Sequence, residues 1–291
     1  MDYIIHSPHN TRAQSHRAFS DLTLVCKFFR AIVVPHLFHS LDISRISEKN
    51  GNNVAPFNNT AFSRSLLAGD KSAVFYATFI RSVTLQDWLP DHLSTAWTIP
   101  AFLCMYGKAF KRMPHLHSLQ LSRVSVDRPL LKAICALERL TSLCFADCSF
   151  DLVVGSPTGP NFISALSPLR LKEFSFSTSS DPEPFILGLL RRTIDLENLE
   201  QLVVLHSAVA EVILSWIPEN NVLKRLEIGE IKDVAVLWTA LERCKGLEWL
   251  EVRHLNGDPA VRDSLPALCL PALRKVVSLS PVLLRLVKQV A

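Results

Sequence analysis

The sequence predicts an α/β solenoid, with parallel strands lining a concave face and helices covering a convex one. Three observations carry this: apolar triplets of one offset recurring along the chain, a helical period between them, and enough apolar residues for a continuous core. Of the 291 residues, 48% are hydrophobic and 20% charged, which excludes a disordered chain. The middle anchors of the triplets are Leu41, Val83, Leu119, Leu143, Phe174, Leu202, Leu226, Leu250 and Val276. From Leu119 onward successive anchors lie 24 to 31 residues apart. A strand whose first, fourth and sixth positions are apolar has one greasy face, and a helix with one apolar stripe has another. Neither buries its face alone, so consecutive units must stack.

In chain order, residues 1–45 read as a small helical unit and 46–291 as the irregular solenoid. The first triplets are Phe38, Leu41, Ile43 and Ile80, Val83, Leu85, with Lys49 to Asn59 between them as an inserted surface loop of Gly, Asn and Pro character. Leu116, Leu119, Leu121 come next. The segment Leu140 to Phe150 fits L-x-x-L-x-L-x-x-N/C-x-L at every specified position, aromatic for aliphatic allowed, with Cys148 at the N/C place. Helical spacing follows in Pro129 to Arg139, Glu183 to Ile194, Ala208 to Trp216, Asp233 to Leu241 and Pro259 to Leu268. Several of these begin behind Asp or Pro, as at Asp127 with Pro129, Asp181-Pro182 and Asp258-Pro259, which is how helices start. Leu273 and Val276 close the series as a decayed copy.

The Leu140 to Phe150 pattern resembles the strand and turn of a leucine-rich repeat, whose period is about 20–29 residues. Such a resemblance implies a right-handed solenoid. The N-terminal stretch from Leu22 to Leu41, with Val25-Cys26-Lys27-Phe28-Phe29-Arg30 at its centre and Pro35 beyond, is similar to the second half of an F-box. Met1 to His6 looks like the last turn of that motif's first helix, and the L-P-x-E that usually opens it is absent. Together the two parts resemble F-box proteins with leucine-rich-repeat-like tails, of the kind abundant in mushroom-forming fungi. The resemblance implies that Leu22, Leu24, Val25, Cys26, Phe29, Pro35 and Leu37 divide between the module's own core and a surface facing a Skp-family adaptor. It implies further that the adaptor hangs the chain on a cullin-RING ubiquitin ligase, and that the repeats capture the protein to be ubiquitinated.

Catalytic and cofactor signatures are scarce. The nine Gly form neither G-x-G-x-x-G nor G-x-x-x-x-G-K-[ST], so no backbone is set out to wrap a nucleotide. No G-x-S-x-G or H-E-x-x-H occurs. Cys144 with Cys148, His36 with His39, and His115 with His117 are close pairs without matching ligands elsewhere, so packing or surface roles are expected and no metal. Asp195, Glu197 and Glu200 read as a solvated helix face, and Cys26 as a thiol quieted by an apolar helix. The seven Cys, an odd number without a secretory signal, favour reduced thiols and a cytoplasmic or nuclear protein. A net charge of +4 with no basic cluster argues against nucleic acid; Lys108 to Arg112 reads as a solvated helix end. No apolar run approaches the ~18 residues of a membrane span.

The remaining candidate is the open sheet face, formed by residues one removed from each anchor. Its rungs are Ser118, Gln120, Ser122; Ser142, Cys144, Ala146; Glu173, Ser175, Ser177; Gln201, Val203, Leu205; Arg225, Glu227; and Trp249, Glu251, Arg253. Arg225, Glu227, Trp249, Glu251 and Arg253 combine an aromatic anchor with guanidinium groups, the composition favoured at interface hot spots. The competing expectation is that Trp249 packs over a neighbouring strand while the charges pair across the ladder. A non-enzymatic substrate receptor of a ubiquitin ligase follows, with a ligase-independent recognition scaffold, capped by a degenerate F-box, as the alternative.

Overall fold

The computed structural model describes residues 27–44, 58–89, 99–151, 166–180, 184–256 and 268–278. Helix α1 (Lys27–Leu37) leads into strand β1 (Ser40–Ser44). Helices α2 (Asn58–Ala68) and α3 (Lys71–Ala77) precede β2 (Ser82–Trp88), and α4 (Ile99–Phe110) precedes β3 (Ser118–Asp127). After α5 (Arg128–Cys135) come β4 (Ser142–Ala146), the short β5 (Ser149–Asp151) and β6 (Glu173–Ser177). Then α6 (Pro184–Thr193), β7 (Gln201–Val204), α7 (Ser207–Trp216), β8 (Arg225–Ile231), α8 (Val234–Arg243), β9 (Trp249–Leu255) and β10 (Lys275–Ser278) follow.

Nine strands form one ladder in the order β1-β2-β3-β4-β6-β7-β8-β9-β10, every pair parallel, while β5 pairs with the far end of β3. Each coil therefore lies beside the one before it. The register matches the anchors: Leu41, Val83, Leu119, Leu143, Phe174, Leu202, Leu226, Leu250 and Val276 are successive partners across the whole sheet. A second row runs Ile43, Leu85, Leu121, Phe145, Phe176, Val204, Ile228 and Val252. From Val83 to Leu250 the first row is at most 3% exposed. At the two outer coils of the described sheet Leu41 and Val276 are only partly buried, and each has a strand neighbour on one side only among the described residues. At about 25 cal/mol per Å², each buried Leu or Phe contributes roughly 1.5–3 kcal/mol. The fold is thus a repeat solenoid of parallel strands and helices, and its first strand, Ser40–Ser44, lies ahead of residue 46.

Capping explains where several helices begin. Asp127 accepts from Leu130 N at 2.8 Å, with Pro129 in the first turn of α5, and Asp233 accepts from Ala235 N at 2.9 Å at the head of α8. Asp70 does the same for α3, through Ala73 N at 2.9 Å. These side chains satisfy amides that have no intrahelical acceptor. The Asp181-Pro182 and Asp258-Pro259 starts, and nearly all of the helix expected over Pro259 to Leu268, fall outside the described residues.

Helices α2, α3 and α4 were not expected from periodicity. Asn58 and Asn59, read as the end of a loop, instead open α2. Tyr106 on α4 ties α2 to the core, its hydroxyl 2.8 Å from Thr60 Oγ1, and its ring meets Trp88 edge-on at 5.3 Å. Gly107 lets α4 approach α5 closely, since a Cβ there would stand 2.8 Å from that of Ala133.

The turn after the strands is a shared device. Asp87, Arg123 and Asp147, each four residues after an anchor, have positive φ of 62°, 54° and 49°. This left-handed residue swings the next side chain inward. Cys148 Sγ donates to Leu121 O at 3.4 Å, and Trp88 Nε1 donates to Ile43 O at 3.1 Å. At the same place in two coils, then, a thiol and an indole satisfy the carbonyl of the second anchor one strand back.

Candidate binding face

Opposite the helices, the sheet presents rows that run across the strands. One row is Ser40, Ser82, Ser118, Ser142, Glu173, Gln201, Arg225, Trp249 and Lys275. The next is Asp42, Thr84, Gln120, Cys144, Ser175, Val203, Glu227, Glu251 and Val277. The first two positions of each expected rung stand in these rows; Ser122, Ala146 and Ser177 form a third row with Gln86, Leu205 lies just past the end of β7, and Arg253 lies further along β9.

The five residues singled out at the C-terminal end come together. Arg225 places its Cζ 4.5 Å from the centroid of the Trp249 ring, and Lys275 on the other neighbouring strand places its Nζ 3.9 Å from it. Glu227, its side chain 10% exposed, receives Arg225 at 3.2 Å and Arg253 at 2.6 Å, and Arg253 also reaches Glu251 at 3.4 Å. The cluster therefore closes on itself: the cations are spent on an indole and two carboxylates. Two donors inside it, Trp249 Nε1 and Arg225 Nε, are buried without an acceptor among the described residues. Gly229, further along β8, admits the backbone of Leu205, whose Cα would lie 2.8 Å from an added Cβ.

Beside the first row, at the entrance to the strands, lies a row the sequence reading passed over. It carries His39, Arg81, His117, Thr141, Lys172, Glu200, Lys224, Glu248 and Arg274, each amide bonded to the carbonyl of the residue before it in the row. Its C-terminal part alternates in sign: Glu200 sits 3.3 Å from Lys172 and 2.7 Å from Lys224, and Glu248 lies 3.9 Å from Arg274. The hydrogen bond from Lys224 is foremost in holding the Glu200 carboxyl below its usual range. Glu200 was expected on a solvated helix face with Asp195 and Glu197. It stands instead at a strand entrance, because Asp195 opens a single tight turn, Leu196–Asn198, by accepting from Glu197 N, and the chain then enters β7. Charges alternating at the anchor spacing, two residues before each anchor, were the available signal.

The N-terminal part of that row is unlike the rest. His117 Nδ1 lies 2.6 Å from Arg81 O, which fixes the proton on that nitrogen, and the Arg81 guanidinium donates to Thr78 O at 3.0 Å. Burial, then the charges of His117, Arg81 and His36, lower the pKa of His39. Arg139 contacts Pro114 O and His115 Nδ1, both at 3.2 Å.

The close Cys and His pairs form no chelating set; among the described residues no three His, Cys, Asp or Glu gather as metal ligands. Cys144 faces out on β4, whereas burial pushes the Cys148 thiol up to about 12. Lys108, Lys111 and Arg112 are exposed around the end of α4. Among the described residues no helix is long and apolar enough to cross a membrane.

Of the residues assigned to an adaptor surface, Leu22, Leu24, Val25 and Cys26 lie outside the described residues. Phe29 falls within α1, where only the backbone is described; Pro35 and Leu37 are half-buried, Pro35 in the last turn of α1. Val33 and Val34 are buried, and Phe38 stacks on Tyr76 of α3 at 4.3 Å, so the exit of α1 rests on the first coil.

No family model matches the chain, and no curated protein matches it. Among solved structures, an internalin (InlF) from Listeria monocytogenes str. 4b F2365 is similar over 75% of this chain and 68% of its own, with 14% identity and a TM-score of 0.34.

Proposed function

We propose that this chain is a non-enzymatic receptor, which captures a protein on the open sheet face and presents it, through an F-box-like N-terminal segment, to a Skp-family adaptor of a cullin-RING ubiquitin ligase. The observation that carries the capture half is the face itself: rows of outward side chains across nine strands, uncovered by any helix among the described residues. A receptor of this kind does no chemistry; it raises the local concentration of its target beside the ubiquitin-charged enzyme. The presenting half rests on the resemblance between Leu22 and Leu41.

Capture of purified adaptor by the full chain tests the proposal. Wild type should retain adaptor in a pull-down, and Val25→Asp with Phe29→Asp should lose it, since two carboxylates cannot be desolvated in an apolar contact. Equal capture by both proteins refutes the placement. A second reading, a scaffold acting without any ligase, is favoured by the burial of Val33 and Val34 and the stack of Phe38 on Tyr76, which suit a helix serving as an end cap. Absence of capture by wild type selects it.

A further inference from the structure

We infer that the N-terminal half of the open face, centred on β2 to β4, binds an extended acidic peptide. The inference rests on reading this face as a protein-binding surface and supplies the chemistry of what it takes.

Two halves of one sheet differ in how their polar groups are spent. At the C-terminal end Arg225, Arg253 and Lys275 are already engaged with Trp249, Glu227 and Glu251. On β2 to β4 the position beside the anchor is Ser82, Ser118 and Ser142, in consecutive register. Their hydroxyls make no hydrogen bond with any described residue, and all three are only half-buried. Next to them runs the row of His39, Arg81 and His117. Neither Arg81 nor Arg139 meets a carboxylate among the described residues; their guanidinium groups touch backbone oxygens and a histidine.

No outward position of these three strands, from the Arg81 row to the Ser122 row, is acidic; Asp42 on β1 and Glu173 on β6 bound the window. The window thus offers positive charge and hydroxyl donors without internal acceptors, the complement of carboxylates on a chain. Strands about 4.8 Å apart make the stretch from β1 to β6 roughly 19 Å wide, which about six extended residues cross. A polyanion such as single-stranded RNA fits less well, because the outward positions of the window carry no Phe, Tyr or Trp for a base to stack on, and Trp249 is flanked by cations.

Fluorescence anisotropy with the full chain tests this, using a labelled alternating Glu-Ser peptide of roughly twelve residues at low salt. Wild type should bind it and ignore the corresponding Gln-Ser peptide. Arg81→Gln with His117→Gln should weaken binding at least about tenfold, and Lys275→Gln should change it less than about twofold. Ser118→Glu should abolish binding while Ser118→Lys strengthens it, opposite signs that a folding defect cannot produce. Equal binding of the Gln peptide, tighter binding of a uridine oligonucleotide, or indifference to the Ser118 pair overturns the inference. Adaptor capture by Ser118→Glu should equal that of wild type. If wild type binds the peptide but captures no adaptor, the ligase reading falls and this one stands.

Discussion

Single residues carry unequal shares of this architecture. Arg123 holds φ of 54° without being Gly, Asn or Asp, a conformation that costs an ordinary side chain about 1–2 kcal/mol. Its ion pair with Asp87 is 3.2 Å long but largely solvated, so it returns little. Arg123→Gly should therefore raise the melting temperature by a few degrees in a thermal scan; a fall would show that the pair matters more than the strain. Trp249→Ala should cost about 1–2 kcal/mol, since it removes two cation-aromatic contacts of about 0.5–1 kcal/mol each at a partly exposed site. A loss near the ~4 kcal/mol typical of a core Trp would place Trp249 in the core instead.

His39 makes stability depend on pH in a defined direction. Its pKa in the folded protein is below 6.5, chiefly through burial. The unfolded chain therefore takes up the proton first as the pH falls. The stabilising contribution is present above about pH 6.5, is lost as the pH drops through the folded value, and levels off below it. Denaturant titrations of wild type and His39→Gln between about pH 5 and pH 7.5 should diverge only at the acid end.

At the scale of elements, the repeated unit is strand, left-handed turn, helix. What was legible in the sequence was whatever the stacking of coils demands. The nine anchors had to be apolar to bury themselves, so their register could be read directly, and the outward rows followed by alternation. The start at Asp127 was legible for the same local reason, while Asp233 was read only as the first residue of its helical stretch. Of helix α4, Ile99–Phe110, only the end near Lys108 was read, because the helix is apolar nearly all round and shows no stripe. Helix α2 was not legible, since its first turn is Asn-Asn-Thr and reads as loop. The turn at Asp87 and Arg123 escaped notice because its inward residue is Trp88 or Val124 there and matches the N/C place only at Cys148. Removing a cap tests the element picture: Asp233→Ala should cost about 1 kcal/mol and speed amide exchange in the first turn of α8, leaving the exchange of β3 unchanged.

Across the whole molecule, coils touch mainly their neighbours, so stability sums along one dimension. Leu226→Ala at the centre should cost about 2–5 kcal/mol, whereas Val276→Ala on the partly buried last described strand should cost far less, and denaturant midpoints would rank them. The composition of the sheet face changes along the same axis, from a window of free hydroxyls and uncompensated cations to a closed cluster around Trp249. The sequence offered Trp249 and its charges as the conspicuous site, with pairing across the ladder as the competing expectation, and the structure shows that pairing. The sequence marked the hydroxyl half as bland for the same reason that makes it available.

The account assigns the two tasks, presentation and capture, to separate parts of one chain. Hydrogen–deuterium exchange of the full chain with and without purified Skp-family adaptor addresses this most directly. The account predicts slower exchange confined to the segment from Leu22 to Leu41, with the strands from β4 to β10 unchanged. Slowing centred on β8 and β9 instead, or none anywhere at saturating adaptor, would contradict it.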